Sequence, residues 1–378
     1  MKIFLNLLSV KQGGQVTRAK EFINNFHFYS NKNDQLIIVA PDSLKIKSSK
    51  SVKIIRITFP FHKNHWLPRM IWENTKQISL INLLKPDVYL TFSHSLPFVN
   101  INIPKIVAVS NLAPFSKLAF KYNTVAGNLK LFLLKQMIIF STNRASSVIS
   151  LSSVGKKHLI NHGIPKKKIS IIPNGVVKKN SSFRLNFSKN KKNKYILYVS
   201  HFYRYKNFEQ LIIAYSKLDK KILHEFRLKL VGNFNDQKYL KYLFLLCKNL
   251  KIDHKVDFVE GVQSKKLYKI YVNATLFVFP SRIENCPNIL LESLSLGLPI
   301  LVSKTPPMPE FSGNACKYFN IDDPGDLNCK ILKVIRSKKT LMRMSRMSFK
   351  RSKRYSWEFF TKKTIILCRK SLLYKVVV

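Results

Sequence analysis

The sequence predicts an α/β chain of two doubly wound domains, each built on a parallel sheet. Three observations predict it. The chain has 378 residues, enough for two domains at roughly 150 residues each. Short apolar runs alternate with helical periodicity from end to end. The alternation stops at a polar, basic stretch and then starts again.

In the first block the expected strands are Ile3–Val10, Leu36–Val39, Lys53–Ile57, Val88–Thr91, Ile106–Val109, Val148–Leu151 and Ile169–Ile172. Each is short and mostly apolar, as suits a strand covered on both faces. Helical patterns lie between them near Val16–Phe26, Met70–Leu84, Asn128–Asn143 and Val154–Asn161. Pro173-Asn174-Gly175 is a turn signal that closes the block. The linker, 178–194, is dominated by Ser, Asn and Lys. In the second block Tyr195–Val199 is a strand, and Phe208, Leu211, Ile212 and Tyr215 make the i, i+3, i+4, i+7 stripe of an amphipathic helix. Further strands are expected at Arg227–Val231, Val256–Val259, Leu276–Phe279 and Ile300–Ser303, with a helix at 288–296. Ligands of such sheets bind at the carboxyl ends of the strands. A cleft between the two domains is therefore the expected site.

Composition narrows the function classes. The chain is 46% hydrophobic and 22% charged, so it is expected to fold rather than stay disordered. No apolar run is long enough to predict a membrane-spanning helix. The N-terminal apolar run is interrupted by Asn6 and leads into Gly13-Gly14, which suits a buried strand and a glycine loop better than a leader peptide. Five cysteines without a paired or zinc-like spacing fit reduced thiols and a cytoplasmic setting. The net charge of +47 invites a nucleic-acid reading. The charge is spread, however: +22 over residues 1–180 (27 basic, 5 acidic) and +25 over 181–378 (39 basic, 14 acidic). With no recognisable nucleic-acid motif either, a nucleic-acid partner is not expected, and genome composition is the plain alternative for much of the basicity. The last 48 residues hold 15 basic side chains against Glu358 alone, with apolar residues interleaved. An anionic membrane surface and a packed helix with a solvated face both fit that stretch.

The segment carrying the most chemistry runs from Phe279 to Pro299 and reads as strand, loop, helix, stop. Pro287 suits a first helical turn and Gly297 a helix stop. The loop Glu284-Asn285-Cys286-Pro287-Asn288 then presents free backbone N–H groups at a helix N-terminus, an anion site. Glu284 and Glu292 are eight residues apart, about 12 Å if helical, too far for a glycosidase pair. Separate roles are expected, since a carboxylate accepts from sugar hydroxyls on both oxygens. For Glu292 the competing role is to complement the helix dipole.

This segment resembles the C-terminal signature of the family 4 glycosyltransferases: a Glu, seven residues, a second Glu, then a small-residue helix ending in Gly-x-Pro. It stands here as ENCPNILLE followed by SLSLGLP, with Pro309-Glu310 downstream. The stretches 198–215 and 146–175, Gly13-Gly14 and Tyr355-Ser356-Trp357 resemble other parts of the same family. The resemblance implies the GT-B fold, two Rossmann-like domains facing across a cleft: 1–177 on the acceptor side, 178–194 as linker, 195–354 binding the nucleotide sugar, and 355–378 as a helix returning to the first domain.

The resemblance further implies retaining transfer of a hexosyl or N-acetylhexosaminyl group from a UDP- or GDP-type nucleotide-diphosphate sugar, with no cofactor and no obligatory metal. The acceptor would be a glycan or a polyprenol-linked glycan, used in surface polysaccharide or lipopolysaccharide synthesis at the inner membrane face. Glu284 would hold donor-sugar hydroxyls and Glu292 the ribose. Gly232, Gly261 and Val262 would line the nucleotide, and Gly13 and Gly14 would admit donor phosphate or acceptor. Lys206 would neutralise the leaving diphosphate, and no Asp-x-Asp metal motif is present. The family arginine position holds His201, and Arg204 nearby is a candidate to replace the lost charge; an ordinary loop residue and a solvated side chain are the plain readings of the two. The active-site histidine that the family often carries is absent from Ser110-Asn111-Leu112, leaving Asn111 or His94 as acceptor-side candidates. Cys286 reads as a small loop residue rather than a nucleophile. His62, His65, Trp66 and Arg69 suit an acceptor groove, a lipid headgroup site or a surface loop. Another GT-B enzyme, such as a sugar-nucleotide epimerase or a sugar-phosphate synthase, is the alternative.

Overall fold

The computed structural model describes residues 1–10, 13–41, 44, 46, 52–57, 66–176 and 194–373. The expected linker residues 178–193, together with His62 and His65, lie outside them. The chain divides into two compact units: Met1–Phe115 with Thr124–Gly175 and Trp357–Val378, and Ser116–Asn123 with Val176–Ser356.

The first unit holds strands β1 (Lys2–Asn6), β2 (Gln35–Pro41), β3 (Val52–Ile57), β4 (Val88–Thr91), β5 (Lys105–Val109), β6 (Ser147–Ser150) and β7 (Ile169–Ile171). They form one parallel sheet in the order β3-β2-β1-β4-β5-β6-β7. The order reverses between β1 and β4, so the loops leaving these two neighbours open a crevice at their carboxyl ends. The strand expected at Ile3–Val10 stops at Asn6, because the Asn6 side chain takes the backbone N–H of Leu8 (2.9 Å) and turns the chain out of the sheet. The helix expected over Met70–Leu84 is two helices, Trp66–Asn74 and Lys76–Leu84. The break falls at Thr75, whose ψ is −86° and whose hydroxyl bonds back to the Ile71 carbonyl (2.8 Å).

The helix Trp357–Leu373 belongs to this first unit. Trp357, Phe360, Thr364, Ile365 and Cys368 are its buried stripe. Phe360 packs against Phe22 and Phe92, and Arg369 bonds Asp34 (2.7 Å). The buried stripe of this helix is therefore inside the unit, the arrangement of a packed helix with a solvated face.

The second unit holds β8 (Lys194–Val199), β9 (Phe226–Gly232), β10 (Val256–Glu260), β11 (Leu276–Phe279), β12 (Ile300–Ser303) and β13 (Lys317–Phe319). Their order is β10-β9-β8-β11-β12-β13, all parallel. Phe208, Leu211, Ile212 and Tyr215 are all buried, as their spacing predicts. Strand β13 was not legible, being three residues long with half-buried Lys317 and Tyr318. The reversal lies between β8 and β11, which pair in register at Ile196↔Leu276 and Leu197↔Phe277.

Candidate functional site

Because β8 and β11 are neighbours at the reversal, their outgoing loops meet. The loop after β8 passes through Ser200 and His201 into a short turn, Arg204–Lys206, and Asn207 in the left-handed conformation (φ 60°) opens the helix Phe208–Ser216. The loop after β11 runs Pro280–Pro287. One backbone contact fixes them together, Arg282 N–H donating to the Tyr205 carbonyl (2.9 Å), and within the first loop the Tyr198 hydroxyl of β8 donates to the Lys206 carbonyl (2.9 Å). Lys206 Nζ then meets Glu284 Oε1 at 2.6 Å, with each side chain 13% exposed. Two residues 78 positions apart form the charged centre of the site. Tyr205 supports the pair, its ring 5.1 Å from the ammonium.

His201 lies close enough to feel both charges. Desolvation and the Lys206 ammonium hold its imidazole below the usual histidine range, and Glu284 opposes them. Near neutral pH it is a neutral donor or acceptor, not a replacement cation. Arg204 points elsewhere. Its guanidinium lies over Tyr239 (5.3 Å) and Tyr242 (5.7 Å), while the Tyr239 hydroxyl bonds Glu209 and accepts from Phe208 N–H.

Two of the expected site glycines, Gly232 and Gly261, lie at the ends of β9 and β10. Gly232 ends β9 beside the β8 loop, where a Cβ would stand 1.7 Å from the Ser200 carbonyl oxygen. Only glycine lets Ser200 N–H reach the Val231 carbonyl (2.9 Å) there. Gly261 and Val262 follow β10, the former exposed and the latter packed on the core of the unit. Asn285 and Pro287 are buried, Cys286 is half-buried, and Asn288 opens the helix Asn288–Ser295. Pro287 sits one step earlier than expected, at the N-cap, where its missing N–H is equally harmless. Gly297, at φ 67°, closes the helix with Gly297 N–H to the Leu294 carbonyl (2.9 Å) and Leu298 N–H to that of Ser293 (3.1 Å), a Schellman stop. Glu292 projects from this helix, exposed, and its charge reaches the Tyr271 hydroxyl. Glu284 and Glu292 thus occupy a loop and a helix, as their spacing implied.

In the first unit the crevice between β1 and β4 is lined differently. Gly13 (φ 66°) is the N-cap of the helix Gly14–Tyr29, a conformation few other residues adopt. Beneath it Asn6 donates to Tyr89 Oη (2.8 Å) and Glu73 Oε1 (2.9 Å). Burial raises the Glu73 carboxyl, and Arg69 lies 3.7 Å from it, on the same helix as the exposed Trp66. His94 follows β4 at φ 56°, and its Nδ1 is buried without a hydrogen-bond partner among the described residues. Burial, then the charges of Arg69 and Arg18, push its pKa down to about 4. The Asn111 Oδ1 takes Ala113 N–H (2.9 Å) in a local turn.

Sequence reasoning missed several of these residues. Arg18 falls on the spacing of Phe22 and Phe26 yet is buried, bonding Asn174 through Nε (2.8 Å); a cation on an apolar stripe was the available signal. Arg282 lay inside the signature segment. Tyr198 and Tyr205 were hidden in an aromatic-rich run whose contacts depend on the facing loop.

Fold and site together define a class: a protein of two doubly wound parallel-sheet units, with a cation–carboxylate pair set at a switch point. Two family models match consecutive parts of the chain, Glycosyltransferase Family 4 over residues 12–179 and Glycosyl transferases group 1 over residues 180–351. The chain belongs to the family 4 glycosyltransferases and has the GT-B fold. A glycosyltransferase of Haemophilus influenzae is 25% identical over 276 residues, 71% of each chain. The O-antigen chain mannosyltransferase B of Escherichia coli is 25% identical over 173 residues, 45% of this chain and 44% of that one. Among solved structures, the sucrose-phosphate synthase of Thermosynechococcus elongatus superposes with a TM-score of 0.75 at 14% identity, covering 98% of both chains. The Anabaena protein HepE, in complex with UDP-glucose, superposes at 0.68 with 16% identity, covering 96% of this chain and 98% of that one.

Proposed function

We propose that this glycosyltransferase moves a hexosyl or N-acetylhexosaminyl group, with retention, from a nucleotide-diphosphate sugar of UDP or GDP type to a glycan or polyprenol-linked acceptor. The pathway proposed is bacterial surface polysaccharide or lipopolysaccharide synthesis at the cytoplasmic membrane face. The observation that carries the reading is the Lys206–Glu284 pair at the carboxyl ends of β8 and β11. A cation there suits a leaving diphosphate, and a carboxylate beside it suits sugar hydroxyls. The O-antigen mannosyltransferase among the relatives and the UDP-glucose held by HepE favour the substrate classes.

In this reading the bond between the anomeric carbon and the diphosphate oxygen breaks as the acceptor hydroxyl attacks from the same face. The acceptor proton passes to the departing phosphate oxygen. Lys206 stabilises the charge left on the diphosphate, and His201 donates a hydrogen bond from a neutral ring. Glu292, exposed on its helix, is the ribose ligand, and the N–H groups opening the helix Asn288–Ser295 face phosphate. No metal is assigned a part. Among the described residues no three His, Cys, Asp or Glu side chains are grouped to hold one.

The experiment is a thermal-stability panel of the chain against UDP, GDP, ADP and CMP, repeated with Glu292→Ala. Ligand a hundredfold above Kd adds about 2.7 kcal/mol. A shift with UDP or GDP, reduced in the variant, supports the donor class and the ribose role. No shift with any nucleotide in a folded sample overturns the reading. A product formed from nucleotide sugar without acceptor turns it toward an epimerase.

A further inference from the structure

The helix Val125–Arg144 is apolar on two opposite sides. Its inner side, including Ile138, is buried in the first unit. Its outer side carries Val125, Leu129, Phe132, Leu133 and Phe140, exposed by 88%, 60%, 50%, 58% and 37%. At 3.6 residues per turn these five share one stripe about 100° wide. The stripe continues off the helix: Phe98, 53% exposed, packs against Phe140 with tilted rings 5.4 Å apart. The arrangement is held, not frayed. Arg144 binds the Pro97 and Phe98 carbonyls (2.8 and 2.9 Å), and Asn74 Oδ1 takes the Phe98 and Val99 N–H groups (2.6 and 3.0 Å). A rigid apolar patch of this kind marks an interaction surface.

Charge identifies the occupant. Lys130 and Lys135 flank the stripe on its two sides, and the helix has no acidic residue. The chain carries no carboxylate side chain anywhere between Asp87 and Glu209. A second copy of the chain, itself at +47, is repelled by this face. No described helix is long and apolar enough to cross a membrane.

We propose that the outer face of Val125–Arg144, with Phe98, docks on an anionic phospholipid bilayer, its apolar side chains entering the acyl boundary and Lys130 and Lys135 engaging headgroup phosphates. This places the membrane contact on the helix Val125–Arg144 rather than on the last helix, Trp357–Leu373, of the same unit. It rests on the proposed function only in that a lipid-linked acceptor would lie in the same bilayer.

The test is co-sedimentation of the full chain with phosphatidylcholine vesicles, with and without about one-third phosphatidylglycerol, at physiological salt. The triple variant Leu129→Ser/Phe132→Ser/Leu133→Ser should partition onto the anionic vesicles at least about tenfold less, a loss of about 1.4 kcal/mol, with an unchanged circular dichroism spectrum. Phe132→Trp should blue-shift on these vesicles and be quenched by acyl-brominated lipid. Tyr242→Trp, on an exposed position of the second unit, should not. Equal partitioning of the triple variant means diffuse electrostatic attraction and overturns the proposal, as does an absence of vesicle binding. A wild-type dimer that the triple variant abolishes would assign the face to a second copy instead. Nucleotide-induced stabilisation of the same samples separates this outcome from the donor reading, because the variant leaves the second unit untouched.

Discussion

Replacing Glu284 by Gln should tighten the binding of a free nucleoside diphosphate while impairing sugar transfer. In the ligand-free site Lys206 is held by Glu284 at 2.6 Å, and both side chains are mostly covered. A charge-assisted bond is worth about 1.5–3 kcal/mol and an exposed ion pair about 0–1. At 13% exposure this pair falls between, at about 1–2 kcal/mol. An incoming diphosphate must share Lys206 with that carboxylate and also meets its negative charge. Removing the charge while keeping the shape releases about 1–2 kcal/mol to the ligand, which is about five- to thirtyfold in Kd. Transfer should fall because Gln accepts on one oxygen only and donates where a sugar hydroxyl would. Isothermal titration of UDP and GDP into wild type, Glu284→Gln, Lys206→Met and the double variant reads the effect, with circular dichroism as the fold control. Lys206→Met should weaken binding, and in its background Glu284→Gln should gain less than it does in the wild type. If Glu284→Gln binds both nucleotides more weakly than wild type, or Lys206→Met binds them equally well, the pair is not part of a diphosphate site.

Three further outcomes follow from the geometry. Gly232→Ala must move the Ser200 carbonyl from a 1.7 Å overlap, so it should cost about 3 kcal/mol of stability, read by chemical denaturation, and weaken nucleotide binding with it. Arg204→Ala should leave nucleotide affinity within about threefold, because its guanidinium is stacked on Tyr239 and Tyr242, and should cost about 0.5–1 kcal/mol of stability. His94 binds its proton less readily in the fold, at about 4 against an ordinary 6.5. The unfolded chain therefore holds more protons between these values, and the His94 contribution is present above about pH 6.5 and lost as the pH falls toward 4. Half-burial of the ring scales the loss to about 2 kcal/mol, seen as the difference between wild type and His94→Gln. The difference isolates His94 from Glu73, whose raised carboxyl acts in the opposite sense.

The sequence by itself determined the repeating strand–helix alternation, and with it two parallel sheets. A strand covered on both faces is mostly apolar along its length, and that pattern needs no knowledge of neighbours. Val88–Thr91, Leu276–Phe279 and Ile300–Ser303 were legible to the residue for this reason. The signature segment was legible too, since Pro287 and Gly297 act through local backbone geometry that their chemistry dictates. Tertiary structure decided whatever depends on which strands lie side by side. Lys206 and Glu284 become partners only because β8 and β11 are adjacent at the reversal of strand order. Arg204, two residues from Lys206, is turned away by tyrosines from a different helix. The last helix and Val125–Arg144 show the same limit from opposite sides. Both carry apolar residues among lysines, yet one lays its stripe in the core and the other leaves a second stripe exposed. Periodicity reports that a face is apolar; only the packed fold says whether anything in the chain covers it.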